Sequence, residues 1–522
     1  MISKIESAIT KVLGQSFAEA SAGKDNKFLI TASDKPEFGH YSTNVAFQIP
    51  GNPEDLAKKI FEAGGDLFEK YEVKGKFINF WISHDALVEG VAEAAKFKKF
   101  KTKAQKINLE FISANPTGPL TMANGRGGFL GDALANVLEA AGHKVTREYY
   151  INDAGNQVRL LGESVLVALG KAEAKEEHYK GGYVKDLAKE LEKKIKNNDA
   201  LSVGRMAAAI LLGSITGSLK KAGIKYDVWF SEYENLHKKG EIKKVLSLLE
   251  KSGLVEEKDG AKWLKTSDIA DDKDRVLVKS DGNPTYFLAD TAYHYDKLIK
   301  RKFDKAIDIW GADHHGYVAR LKGGVKAIGV DPARLQIVIT QLVRLMENGQ
   351  EVKMSKRTGN FITMDDLIEE VGADATRFFF LMHAPETHMD FDLTLAKEKS
   401  QENPVYYAQY AYVRCGSILE KSGAKKIKGN WDVLKAESEL RLMCELVKLP
   451  DLIWQTARDY QVSRLTRYAL EVARALNNFY EKERVIVDDK DLMAARLGLV
   501  AATREVLAKV LDLLGVSKPE KM

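Results

Sequence analysis

Two lysines three residues apart, Lys353 and Lys356, flank Met354 and Ser355 in the stretch EVKMSKRTGN at 351–360, with Gly359 freeing the loop to move. Ammonium groups so placed can close on a triphosphate and neutralise the charge that builds as pyrophosphate leaves. The plain alternative is a solvated basic loop. Much earlier, 113–128 reads SANPTGPLTMANGRGG, after the apolar run Ile107, Leu109, Phe111 and before the helical pattern FLGDALANVLEAAG. Strand, loop, helix is the layout in which a Rossmann-type sheet offers a helix N-terminus to a phosphate; a turn without a ligand reads the same way. A third candidate is Tyr286 with Asp290, four residues apart after a DGNP turn, which a helix would set on one face. A carboxylate beside a phenol suits a planar guanidinium, although a surface aspartate and a packed tyrosine would have the same spacing.

Together these stretches resemble the paired signatures of class I aminoacyl-tRNA synthetases, and the text around them is similar to the arginyl-tRNA synthetase family. NPTGPL, REYYINDAGNQ at 147–157, WGADHHGY at 310–317, VKMSKRTGNFIT at 352–363 and DFDLTLAKEKSQENPVYYAQYAYVR at 390–414 match it in order, as does the closing PEKM. One departure falls at the centre. The family's first signature is His-x-Gly-His, and here those positions hold Thr121, Met122, Ala123 and Asn124. Thr121 and Asn124 keep hydrogen-bond donors but cannot carry positive charge, which makes this a variant signature and not a dead one. Ala123 adds a Cβ where glycine would let an adenine ring approach.

The resemblance implies a ligase that activates L-arginine with ATP, carried with Mg²⁺ and without zinc, and transfers it to the 3′ end of tRNA(Arg) once that tRNA is bound. It implies Lys356 as principal charge stabiliser, Lys353 as secondary, and Thr121 and Asn124 as neutral phosphate donors. ATP would lie along Thr121, Ala123, Asn124, Gly125, Gly311, His314, Met354, Ser355 and Lys356. Arginine would meet Glu110, Ser113, Asn115, Asn124, Tyr286, Asp290 and Asp313. Among these, Asn115 takes the α-amino end, Asp290 is the main specificity determinant and Glu110 is a further carboxylate. The adjacent His314 and His315 invite a metal, but sequence neighbours point apart and no third ligand follows at a usual spacing. A catalytically silent RNA-binding relative, motivated by the missing histidines, and a class I synthetase for another amino acid remain as alternatives.

The elements that must position these groups follow from length and pattern. At 522 residues the chain has room for three or four domains. The reading is a multidomain α/β protein: an N-terminal α+β appended domain over 1–100, a Rossmann-type catalytic domain over 101–390 with a charged helical insertion at about 171–265, and an all-α bundle over 391–522. The N-terminus sets Ile2, Ile5, Ile9 and Val12 at helical spacing, and KFKKFKTKAQK reads as a charged linker. By resemblance the first domain touches the tRNA elbow through FGHYSTNVAF at 38–47, with Tyr41 and Asn44 as contacts, while Gly39 and Asn44 equally suit a turn. The bundle would bind the anticodon stem and loop, with Tyr406 and Tyr410 for stacking and Arg464 and Arg467 for phosphates. In SRLTRYALEVARALNNFY, Leu465, Tyr468, Ala469, Val472, Leu476 and Phe479 form the core stripe.

Composition sets the outer limits. A formal charge of +5 permits nucleic-acid binding without demanding it. Two cysteines, Cys415 and Cys444, make neither a disulfide framework nor a zinc pattern, so a reducing cytoplasm is expected. No signal-peptide pattern or apolar run near the ~18 residues of a membrane span is found. Lacking coiled-coil heptads, the chain is expected to be a monomer.

Overall fold

The structure is a computed structural model that describes residues 1–14, 28–33, 38–269, 271–352, 362–424 and 429–522. Its centre is a sheet of five parallel strands, β1 (Lys106–Glu110), β2 (Lys144–Ile151), β3 (Val228–Ser231), β4 (Lys305–Gly311) and β5 (Leu335–Thr340), in the order β5-β4-β1-β2-β3. Central strands covered on both faces should read as continuous buried runs, and in β1 every residue after Lys106 is buried. The strand order reverses between β1 and β4, and open α/β sheets bind ligands beyond the strand ends at that point.

The helix that follows β1, α1 (Met122–Ala140), is buried on nearly all sides. Its glycines explain how it lies so close to the sheet. A Cβ on Gly131 would sit 2.2 Å from the Phe111 ring, and one on Gly128 would sit 2.6 Å from the end of Ile112.

The stretch 171–265 departs from a helical insertion. Helices Gly182–Leu191, Ala200–Lys221 and Glu241–Lys251 are present, but β3 belongs to the core sheet, and Val255–Lys258 and Ala261–Leu264 pair in a separate antiparallel sheet with Arg275–Val278. The four residues VWFS are too short a run to show a period inside a charged segment. Helix Ala200–Lys221 has the length and apolar composition of a membrane span. In the fold its Gly204 meets the backbone of helix Asn156–Ala168, where a Cβ would come 1.9 Å from the Val158 carbonyl oxygen, and its Val203, Ala207, Leu211 and Ile215 are buried.

The N-terminal domain is a four-stranded antiparallel sheet, Ile30–Ala32, Tyr41–Thr43, Phe77–Ile82 and Phe68–Lys74 in spatial order, with helices Ile2–Leu13, Pro53–Gly64 and His84–Ala95. From Pro404 onward the chain is helical, and all six residues of the expected stripe in Ser463–Lys482 are buried. The last helix, Lys490–Leu514, stops at Gly515 in the left-handed conformation that suits glycine. Its final carbonyls rest on the catalytic domain: Asn136 Nδ2 donates to Leu513 O at 3.2 Å, and Arg377 donates to Leu514 O at 3.2 Å and to Asp132 at 2.5 Å.

Candidate active site

The chain leaves β1 through a strained turn. Ile112 and Ser113 have φ of 64° and 40°, a region that costs a non-glycine residue on the order of 1–3 kcal/mol and is least suited to a β-branched side chain. Such a turn persists only when its surroundings over-determine it. Tyr226 OH donates to Phe111 O at 2.9 Å and Tyr149 OH to Ala114 O at 2.8 Å. Ser113 Oγ donates to Glu110 Oε1 at 2.8 Å while accepting from Tyr150 N at 3.0 Å. Asn115, two residues on, donates to Gln157 Oε1 at 2.5 Å. Glu110, Ser113 and Asn115 are therefore held together by β1, β2 and the helix that opens at Asn156.

Over this turn lies α2 (Tyr286–Tyr295), continued by a wider turn at Asp296–Lys300. The expected shared face of Tyr286 and Asp290 is present and extends further, to His294, Lys297 and Arg301. Opposite it, the strand register places Asp308, Glu110 and Glu148 side by side on β4, β1 and β2. Three carboxylates in a row repel one another, and α2 answers each. His294 Nε2 is 2.8 Å from Asp308 Oδ2; Lys297 Nζ donates to Asp308 at 2.8 Å and to Glu110 Oε2 at 2.5 Å. Arg301 pairs with both oxygens of Glu148, and Tyr293 OH donates to one of them at 2.6 Å. Burial works to raise the Asp308 carboxyl, but Lys297 and His294 outweigh it and hold it at about 2. Burial leaves Glu110 above its ordinary value despite Lys297.

Asp290 is different. Among the described residues it has no salt-bridge partner; its one side-chain bond is from Tyr317 OH to Oδ2, at 2.5 Å. Burial pushes its carboxyl up to about 6, against the pull of the Tyr317 bond. Tyr286, at the N-terminus of α2, is 57% exposed and so remains accessible beside it. Glu232 is buried, with His237 Nε2 3.0 Å from its Oε1. Among the described residues the sheet end thus presents a carboxylate without a salt-bridge partner, a phenol and a rigid amide-bearing turn, groups suited to a cation with a second polar end.

The other end of the site is neutral. Thr121 caps α1, and its backbone N–H and its hydroxyl each donate to Asn124 Oδ1 at 2.9 Å. Among the described residues Asn124 Nδ2 has no partner, and it is a donor available at a helix N-terminus. Thr121 also forms a β-bridge with Thr363, flanked by Met122 N to Ile362 O at 3.1 Å and Met364 N to Leu120 O at 2.9 Å. The segment that leaves the second signature is therefore stitched to the first. Lys353, Met354, Ser355 and Lys356 themselves lie outside the described residues. Arg126 on the same helix donates to the carbonyls of Gln341, Leu342, Ala384 and Thr387 at 2.6–3.2 Å, tying α1 to the entry of the hairpin Val343–Glu347, Gln350–Glu351.

Gly125 is buried and Ala123 exposed on the first turn of α1. Gly311 ends β4, where a Cβ would come 2.6 Å from Asp313 Oδ1. Asp313 and His314 are exposed and 3.4 Å apart. Among the described residues the one His and carboxylate group close enough to hold a metal is His84, Asp85 and Asp432, outside this sheet end.

Two residues expected to meet tRNA are engaged within the fold. Tyr41 is buried, with its hydroxyl 3.5 Å from Asp451, because the alternation of its strand turns Tyr41 and Thr43 inward. Asn44 serves the turn instead, accepting from Leu29 N at 2.7 Å. Tyr406 and Tyr410 stack with centroids 6.2 Å apart, and Arg414 lies over Tyr410 and over the exposed Tyr480. Arg464 is engaged by Asp459 at 2.6 Å, whereas Arg467 is exposed. Sequence reasoning missed Tyr317, Glu232, Gln157, Lys297 and Tyr480.

Three family profiles match in succession: an arginyl tRNA synthetase N-terminal domain at 3–82, the class I (R) tRNA synthetase catalytic domain at 86–382, and a DALR anticodon-binding domain at 408–522. The arginine–tRNA ligase of Carboxydothermus hydrogenoformans is 44% identical over 515 residues, 93% of this chain and 92% of that protein. That of Acetivibrio thermocellus is 41% identical over the full length of both. The fold matches that of Thermus thermophilus arginyl-tRNA synthetase with a TM-score of 0.82 at 21% identity, covering 99% of each chain.

Proposed function

This chain belongs to the arginyl-tRNA synthetase family, and from that premise we propose how its residues join arginine to tRNA. The enzyme is an arginine–tRNA ligase. The guanidinium of arginine pairs with Asp290 beside Tyr286, and its α-amino end is received by Ser113 and Asn115, with Glu110 adding negative potential beneath. This places the substrate carboxylate toward α1, where Mg-ATP lies with its phosphates at Thr121 and Asn124 and its adenosine near Ala123, Gly125, Gly311, Asp313 and His314. Mg²⁺ enters with ATP as part of the substrate.

An oxygen of the arginine carboxylate attacks the α-phosphorus in line, the bond to the bridging β-oxygen breaks, and pyrophosphate leaves with arginyl-adenylate in the site. Lys356 and Lys353 stabilise the charge that develops on the leaving group. A hydroxyl of the terminal ribose of tRNA then attacks the adenylate carbonyl, losing its proton as AMP departs. Positioning carries most of such chemistry. The anticodon arm is taken by the C-terminal bundle, with Tyr406, Tyr410, Arg464 and Arg467 as contacts.

The observation that carries this reading is Asp290: a half-buried carboxylate with no salt-bridge partner among the described residues, on the helix over the sheet's switch point. ATP–pyrophosphate exchange with arginine and with the other amino acids, each with and without tRNA, tests it. Exchange for arginine alone, dependent on tRNA, is expected. No exchange under any condition, with tRNA binding intact, would favour a silent RNA-binding relative. The enzyme is further taken to act as a cytoplasmic monomer, which sedimentation of the purified chain checks.

A further inference from the structure

We propose that Lys297 is a positioning residue for the α-amino end of arginine, acting through Glu110 on the strained turn from which Asn115 projects. The proposal rests on the reading of Ser113 and Asn115 given above and adds to it a residue that touches no substrate atom. The Lys297 side chain is fully buried, and an ammonium in that position is costly unless every charge and hydrogen bond is met. The groups facing it are Glu110 on β1, Asp308 on β4, Glu148 on β2, and the Tyr293 ring of its own helix, 4.1 Å away.

The division of labour among the α2 cations points to Glu110 as the purpose of Lys297. Glu148 is already met by Arg301 and Tyr293, and Asp308 is already met by His294. Among the described residues Glu110 has Lys297 as its one salt-bridge partner. With Oε2 held by Lys297, Oε1 accepts from Ser113 Oγ, which in turn accepts from Tyr150 N and keeps one acceptor site for the substrate. Lys297, Glu110, Ser113 and Tyr150 thus form one continuous chain of hydrogen bonds into a turn with two left-handed non-glycine residues. Without the ammonium, Glu110 is free to take a proton or rotate. Ser113 then loses its acceptor, and the turn loses one of the restraints that offset its strain. The guanidinium end is anchored separately, by Asp290 with Tyr317, about two turns earlier along the same face.

That separation gives the test. Binding of arginine and of n-butylguanidine, which has the guanidinium but no α-amino group or carboxylate, is measured on wild type, Lys297→Arg, Lys297→Met and the Lys297→Met/Glu110→Gln double variant. The double variant removes both charges and so avoids stranding one in the core. Misplacement by about 1 Å can cost on the order of 10²-fold, so arginine should bind about 10²-fold more weakly to Lys297→Met and to the double variant. Butylguanidine should bind all four proteins alike, and Lys297→Arg should recover most of the arginine affinity.

Equal weakening of both ligands would overturn the proposal, leaving Lys297 as a general prop of the fold. Arginine affinity at wild-type strength in the double variant would overturn it too, since the relay would then be dispensable. Failure of the wild-type chain to bind arginine would remove the underlying reading and the proposal with it. That outcome is distinguished because it appears before any substitution is made.

Discussion

The two ends of the pocket solve different electrostatic problems. In the proposed reading arginine brings a permanent charge, and the end assigned to it is built of fixed charges: a row of three carboxylates, each answered from α2 and the turn that continues it, and a fourth, Asp290, with no salt-bridge partner among the described residues. ATP and pyrophosphate present charge that grows only during reaction. The end assigned to them has neutral side chains on the first turn of a helix, bridged to Thr363, which follows the two lysines in sequence. A constant charge is met by a constant counter-charge whose cost is borne in the empty protein, as the raised carboxyl of Asp290 records. A transient charge would be met by donors and by the lysines of the second signature, so that the ground state is not over-stabilised.

The sharpest way to break this contrast is Asp290→Asn. A buried cation that loses its partner costs about 3–5 kcal/mol, so kcat/KM for arginine should fall by at least about 10²-fold while the KM for ATP stays put, as read by pyrophosphate exchange. A fall of less than tenfold would mean that another carboxylate holds the guanidinium. The wild type should also show an acid limb. Asp290 titrates near 6 and must be ionised to bind arginine, so kcat/KM should drop about tenfold per pH unit as pH falls below 6. That limb should vanish in Asp290→Asn.

The ATP end should respond in the opposite sense. Asn124→Ala removes the free amide donor and the acceptor of both Thr121 bonds. Loss of one transition-state donor typically costs ~10²–10³ in rate, and the lower part of that range is expected because the donor is neutral. The arginine KM should be unchanged. The lost cap should also lower stability by about 1 kcal/mol, visible as a fall in Tm. If kcat survives Asn124→Ala, the neutral signature contributes little and the lysine loop carries the phosphate chemistry.

How much of this was legible depends on the range of the interactions. The change from strand to helix around 106–140 and the shared face of Tyr286 and Asp290 are local patterns, and the structure has both. The helix face 290, 294, 297, 301 is equally local in its 4-3-4 spacing. What it faces was not readable: Asp308, Glu110 and Glu148 become neighbours only through the register of three strands drawn from distant parts of the chain. The burial of Tyr41 is illegible for another reason. Its segment was identified, but three strand residues do not say which face is inward. Likewise β3 was hidden by its length, since four residues carry too little pattern to oppose the charged helices around them.

Tyr317 gives the smallest effect and the finest test of the contrast. It is 27 residues from Asp290 in sequence and reaches it only through the fold. Its hydroxyl donates to Oδ2 and so favours the ionised carboxylate, working against burial. In Tyr317→Phe burial acts unopposed by this bond, and the acid limb of kcat/KM for arginine should move to higher pH. Well above both limbs Asp290 is ionised in either protein, and only the lost orientation of the carboxylate remains, about 1 kcal/mol or a few-fold in KM. The variant should therefore look nearly normal at pH 8.5 and clearly impaired at pH 6.5. Equal impairment at the two pH values would mean that Tyr317 packs against the pocket without tuning its charge. A limb displaced to lower pH would mean that Tyr317 disfavours the ionised carboxylate, contrary to the geometry of the bond.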